Sequence, residues 1–347
     1  MATGSRAVLM AFLAVTLGLV SIPPQAVEYA VPRMSYGVPD LQGVWTNATI
    51  TTLERPQDIA KLVLTEAEAT VIEQNRQAFY DAYDEPTANA DGELPVANDP
   101  GGYNTFWMDE GTRLARVNGE IRSSFIVEPE DGQIPYRLLA RFRMFQHFGR
   151  FLSYDGPEIR PLGERCVVGF GSTGGPPMLP VLYNNNYQIV QSPGNVMILV
   201  EMNHDARIIR IGGRHPPADV YKWLGDSIGH WEDDTLVVET SNFHPDQSFR
   251  AALKHVVMST PDLVVTERFT RISADEILYD FTMDDPAVYA KSWRGEIPLR
   301  ATEGPIYEYA CHEGNYALPG ILAGARAEEK AGKEPPWWQK LLLSLAG

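Results

Sequence analysis

The sequence predicts an all-β protein, an antiparallel barrel or sandwich with a few peripheral helices, and three observations predict it. Between Asn184 and Thr240 short β-branched runs at 187–191, 196–201, 206–209 and 235–240 alternate with Gly, Pro, Asn and Asp at the spacing of an antiparallel meander. Further on, 263–271 and 277–283 flank Ser273-Ala274-Asp275-Glu276 as a hairpin, with Ile277, Tyr279, Phe281 and Met283 on one face and Leu278, Asp280 and Thr282 on the other. The third is composition: 29 Gly, 26 Pro and a hydrophobic fraction of 44% describe an ordered, turn-rich chain far from disorder.

The elements follow in order. Arg6, the apolar run 7–20 and Ser21-Ile22-Pro23-Pro24-Gln25-Ala26 read as a secretory signal over residues 1–26, too short for a comfortable membrane span. One β-rich domain is expected over 27–347, destined for the periplasm or the medium. Gly43-Val44-Trp45 opens the first strand. Thr65 with Glu68 forms a capping box that starts a helix to about Tyr83. Residues 84–104, acidic and aperiodic, read as a long surface loop, and the aromatics of 102–107 as core closure or a pocket wall. A strand at 123–128 runs into the turn Pro129-Glu130-Asp131-Gly132, an amphipathic helix occupies 137–149, and a last strand is expected at 306–311.

The formal charge of −16 opposes nucleic acid and, once the signal is cleaved, an anionic membrane. The glycines of 156–177 fit neither a Walker loop nor a dinucleotide fold, and no His-x-His or His-Glu-x-x-His spacing occurs, so neither cofactor nor metal is expected. On counts alone, His204, His215 or His312 with a carboxylate is the remaining metal possibility. Cys166 and Cys311 are the only cysteines. An exported chain usually pairs such a couple, which in the chain-entropy model contributes about 4 to 5 kcal/mol; two buried thiols are the other reading.

Several longer motifs stand out: Glu164-Arg165-Cys166, 183–187, His204-Asp205-Ala206-Arg207, Gly225-Asp226-Ser227, 231–240, and 307–316, which reads Tyr-Glu-Tyr-Ala-Cys-His-Glu-Gly-Asn-Tyr. Over residues 41–326 the chain resembles an uncharacterised family of exported bacterial all-β proteins, which implies export and a β fold but no activity. Gly43-Val44-Trp45 and the meander are loosely similar to lipocalin barrels, in which the Trp plugs one end.

Candidate chemistry lies at strand ends, where loops carry function. His204 and Asp205, beside Glu201, form one potential acid/base turn, and His312 with Glu313 after the expected last strand forms another. Asp226 in its glycine turn is a candidate orienter, with His215 nearby; an ordinary Asx turn is the structural alternative. Glu201, Glu239 and Glu267 each share a strand face with apolar residues, and each is either a barrel-lining carboxylate or a solvated strand end. Two functions fit: a cofactor-free enzyme using acid/base chemistry on a hydrophobic or aromatic small molecule, as a lyase, isomerase or hydratase; and a lipocalin-like carrier of such a ligand.

Overall fold

Predominant alternation of inward apolar and outward polar side chains lets nine strands curl into a closed barrel. The computed structural model describes residues 29–84, 108–151, 153–252 and 254–334, and four positions of the tail, 337, 340, 341 and 344. The expected signal, nearly all of the expected loop 84–104 and the aromatics of 102–107 lie outside the described residues. Val31–Gly347 forms one compact unit, described below; of the other, Met1–Ala30, only 29 and 30 are described.

In chain order the elements are β1 (Gly43–Thr46), β2 (Val63–Leu64), α1 (Glu66–Asp84), β3 (Arg116–Val117), β4 (Glu120–Arg122), β5 (Ile126–Glu128), α2 (Leu138–Phe151), β6 (Asn186–Ser192), β7 (Asn195–Val200), β8 (Ala206–Ile211), β9 (Asp226–Glu232), β10 (Thr235–Ser241), β11 (Phe249–Ala252), β12 (His255–Met258), β13 (Val264–Arg271), β14 (Glu276–Asp284), β15 (Trp293–Ala301) and α3 (Ala317–Lys330). The barrel runs β1-β6-β7-β8-β9-β10-β13-β14-β15 and closes through β15 on β1. Every pair is antiparallel except β8–β9. The fold is therefore a mostly antiparallel barrel with a few peripheral helices.

The hairpin at 271–276 forms in the expected register, and Ile277, Tyr279, Phe281 and Met283 all point inward. One strand expectation needs correction. Residues 306–311 belong to no strand, and the last strand is β15, which contains Pro298. A proline normally argues against a central strand. Here Ala301 N–H bonds Asp275 while Glu296 N–H bonds Phe125 on the opposite edge, so alternation turns the Pro298 nitrogen to that second edge. That edge is unpaired between the β5 contact at Arg294 and Gly295 and the β1 contact at Arg300 and Ala301, so no ladder bond is lost.

α1 begins with the expected capping box: Thr65 N–H donates to Glu68 Oε2 (2.8 Å) and Glu68 N–H to Thr65 Oγ1 (3.3 Å). Its Ala69 packs with Ile50, Leu64, Leu114 and Ile121 against the small β2-β4-β3 sheet. α2 buries Ala140 and leaves Leu138, Leu139 and Phe142 exposed, a less complete packing than its pattern suggests.

The two barrel ends differ. At the end where the 192–195, 232–235 and 271–276 turns lie, the buried Trp45 ring donates from Nε1 to Leu41 O (3.0 Å). The Arg271 guanidinium covers that ring at 5.3 Å and bonds Asp40 O at 2.8 Å. At the opposite end the segment 172–181 turns in as a plug. Tyr187 donates its hydroxyl to Thr173 O (3.1 Å), Met178 N–H donates to the Tyr279 hydroxyl (3.0 Å), and Asn47 Nδ2 donates to Met178 O (3.1 Å). Gly175 makes the return possible: at φ +64°, an added Cβ would fall 2.6 Å from the Pro177 backbone.

Between the ends the interior is filled by Phe269, Tyr279, Phe281, Ile198 and Val238 around a buried ion pair. Arg207 meets Glu267 in a bidentate contact, Nη1 to Oε1 at 3.0 Å with Nη2 on Oε2, and Tyr279 donates its hydroxyl to Glu267 Oε1 at 2.8 Å.

Candidate functional site

The irregular stretch 153–171 lies against the residues leading into β11, and between them opens a cavity of about 680 Å³. Its size is that of a small-molecule site. Apolar wall comes from Ile159, Leu162, Phe170 and Phe249; Asp155, Glu158, Arg160, Glu164 and Arg250 supply charge.

Each polar group has a reason for its place. Arg160 is held by a bidentate pair with Glu164 (2.9 and 3.0 Å), donates to Ser153 O (2.9 Å) and lies 4.7 Å over the Tyr154 ring. Asp155 accepts from Ser153 Oγ at 2.9 Å. Glu158 is exposed at the rim, and its carboxylate joins no ion pair among the described residues. The imidazole of His147 stacks on Phe249, centroids 5.4 Å apart.

Arg250 differs from these. It is 5% exposed, Nη1 donates to Pro176 O of the plug at 2.7 Å, and its buried Nε and Nη2 have no partner among the described residues. Burial pulls its pKa down to about 10, so it remains charged at neutral pH. Nearby cations are balanced, Arg207 by Glu267 and Lys254 by Glu110.

Behind the cavity wall His255 on β12 stands against Gly171, where an added Cβ would lie 3.3 Å from Nε2; that nitrogen has no partner among the described residues. Burial first, then Arg250 and Lys254, push its pKa down to about 3. The unfolded chain takes up this proton from about pH 6.5 downward and the folded chain only near pH 3. Stability is therefore expected to fall with pH through that window, by up to about 1.4 kcal/mol per unit from this residue. Urea unfolding at pH 7.5, 5.5 and 4.5 should show His255→Gln with a shallower decline than the parent; equal slopes would mean that His255 is charged in the folded state.

The residues expected to form the site are placed as follows. His204 accepts at Nε2 from Tyr309 N–H (3.1 Å), and the buried Glu201 accepts from Asn186 Nδ2 (2.8 Å) and Tyr307 N–H (3.1 Å). Asp205 accepts from Gly169 N–H at 2.8 Å, which fixes one wall of the cavity, and burial raises its pKa. Glu201, His204 and Asp205 thus fasten the segments that pass over them. His312 and Glu313 lie exposed in the turn after Cys311, three and four residues beyond Tyr309, so the structure brings the 201–205 turn and the 307–313 segment together.

Asp226 lies apart from them, on the outer face at the β8–β9 junction. It accepts from Arg210 (2.7 and 3.0 Å), Lys222 (2.5 Å) and His215 Nδ1 (3.0 Å), and these partners hold its carboxyl below the usual range against the opposing effect of burial. His215 Nε2 also meets Glu239 at 3.3 Å. Of the three glutamates expected on strand faces, Glu267 alone points into the barrel; Glu239 faces outward and Glu201 follows β7. Among the described residues no three His, Cys, Asp or Glu side chains group as a metal site.

Cys166 and Cys311 are joined by a disulfide, Cα atoms 5.7 Å apart, which ties the 306–316 segment to the cavity loop. Asn315 Nδ2 adds a bond to Glu164 O at 2.7 Å. Among the described residues no helix is long and apolar enough to cross a membrane.

Sequence reasoning missed the cavity because 156–177 carries no motif tied to a ligand chemistry, and because Arg250 is one arginine in a four-residue strand. The only signal was the glycine and proline density of 169–177, which marks a tightly folded segment.

Fold and cavity together define the class: a plugged, mostly antiparallel β-barrel with a lateral cavity of small-molecule size. Comparisons with protein-family models, curated proteins and solved structures found no match to this chain.

Proposed function

We propose that this chain is an exported enzyme that acts by general acid/base chemistry, without a cofactor, on a hydrophobic or aromatic small molecule held in the lateral cavity. The observation that carries the reading is convergence: Glu158 and Asp155 line the same cavity as Arg250, with Phe170 and Phe249 as apolar wall. A carrier would be served by an apolar cavity alone. The N-terminal apolar run and the Cys166–Cys311 bridge support export to the periplasm or the medium.

Glu158 is the acid/base candidate, since its carboxylate is at the rim and outside the ion pairs that hold the fold. A panel of aromatic and terpenoid small molecules incubated with the purified protein and followed by NMR would reveal turnover. Glu158→Gln is then expected to lower kcat by about 10² to 10⁴ with an unchanged melting temperature. Ligands that bind and emerge unaltered would replace the enzyme by a carrier.

The meeting of the 201–205 turn with the 307–313 segment favours a second placement of the same chemistry, on His204 and His312 with Glu201, Asp205 and Glu313. In that case His204→Ala and His312→Ala lower kcat at constant stability while Glu158→Gln does not.

A further inference from the structure

We propose that a second hollow, beneath α3, is an apolar subsite that extends the lateral cavity and takes a second ring or short hydrocarbon end of the same small molecule. This rests on the cavity as the working site and names the shape of its substrate. The hollow measures about 240 Å³ and shares Gly163, Glu164 and Phe170 with the lateral cavity. An apolar cavity of about 150 Å³ already holds a benzene ring, so there is room for one here.

The partition between the two spaces is the Phe170 ring. A Cβ added at Gly163 would fall 2.5 Å from Phe170 Cδ1, while the backbone there keeps out of the left-handed region, so what the glycine provides is space for the ring. The main chain of Phe170 is fixed, its N–H donating to Met202 Sδ (3.1 Å) and its O accepting from Thr173 Oγ1 (3.2 Å). Turning of the half-buried ring alone therefore joins the two spaces.

The far wall is Tyr309, Ala310, Leu318 and Ile321, all from the arm 306–330. α3 buries none of its residues, so close packing does not account for where it lies. Three anchors hold the arm off the cavity loop: the Cys166–Cys311 bridge, Asn315 Nδ2 on Glu164 O (2.7 Å) and Arg326 Nη2 on Asp155 O (2.8 Å). Glu164 is the one charged residue on the hollow among the described residues, and its carboxylate is committed to Arg160 at 2.9 and 3.0 Å. A neutral apolar group suits such walls, and a charged one would lie there uncompensated.

Calorimetric titration of the purified, disulfide-bonded protein with benzyl alcohol and with 4-phenylbenzyl alcohol tests this. The two-ring probe is expected to bind tighter by roughly 10-fold or more, the scale of burying one further aromatic ring. Ile321→Trp fills the hollow from a half-exposed helix position and should bring the ratio of the two affinities back toward one. Leu318→Trp fills it from the preceding turn and should do the same even where Ile321→Trp disturbs α3.

No binding of either probe by the parent, a parental ratio near one, or a ratio that survives both tryptophan variants would each overturn the subsite; in the last case the lateral cavity holds both rings by itself. The two proposals fail separately. Turnover that depends on Glu158 with a parental ratio near one removes the subsite alone, whereas a ratio abolished by Ile321→Trp with no turnover of any small molecule removes the enzyme reading alone.

Discussion

Replacing Cys166 and Cys311 together by serine is expected to lower the unfolding free energy by about 4 to 5 kcal/mol. The bridge spans 145 residues, and the chain-entropy account makes long loops the most valuable to close. The loss should also be local. Glu201 and His204 hold the backbone of Tyr307 and Tyr309, Asn315 bonds Glu164 O and the Tyr309 ring packs on the core, so without the bridge the 306–316 segment is fastened by one ring and a few hydrogen bonds of about 1 kcal/mol each. Guanidinium unfolding of the parent with and without a strong reductant should reproduce the difference between parent and double variant. Coincident curves would mean that the two cysteines are not bridged in the purified protein.

The second large effect lies inside the barrel. Glu267→Leu leaves the Arg207 guanidinium buried, with the Ser227 and Thr240 hydroxyls, both at 3.5 Å, as its remaining hydrogen-bond partners among the described residues. Removing one partner of a buried pair costs about 3 to 5 kcal/mol, because the charge that remains can neither ionise differently nor reach water. Arg207→Met combined with Glu267→Leu removes both charges and is expected to recover most of that loss. Denaturant unfolding of the two single variants and the double variant gives the coupling directly. A double variant no better than Glu267→Leu would mean that Tyr279, which donates to Glu267, and not the ion pair, is what the interior depends on.

Much of the fold was legible because its signals are local. The capping box at Thr65 and Glu68 places the start of α1 within one turn, since both hydrogen bonds close over three residues. The 271–276 hairpin is legible for the same reason. Pro298 hid β15, because a proline's suitability in a strand depends on whether its edge is paired, and that is set by β5 and β1, far away in sequence. The candidate site was legible only in part: His204 and the 307–313 segment do meet, but the cavity and Arg250 are assembled from stretches that show no pattern of their own.

By itself the sequence determined the strands of the central meander and the 271–276 hairpin, their two-sided alternation and the turn chemistry, because these depend on residues within a few positions of one another; with only two cysteines in the chain it also left a single possible pairing. Tertiary structure alone decided which face is the inside. Glu239 and Glu267 each follow an apolar residue two positions earlier, yet Glu267 is buried against Arg207 and Glu239 lies outside, because a period of two is the same read from either side of a sheet and closure picks one. Closure also turned the glycine-rich segment 172–181 into a plug and buried Arg250 with two donors that have no partner among the described residues. Both are consequences of contacts between residues tens of positions apart, which no local pattern encodes.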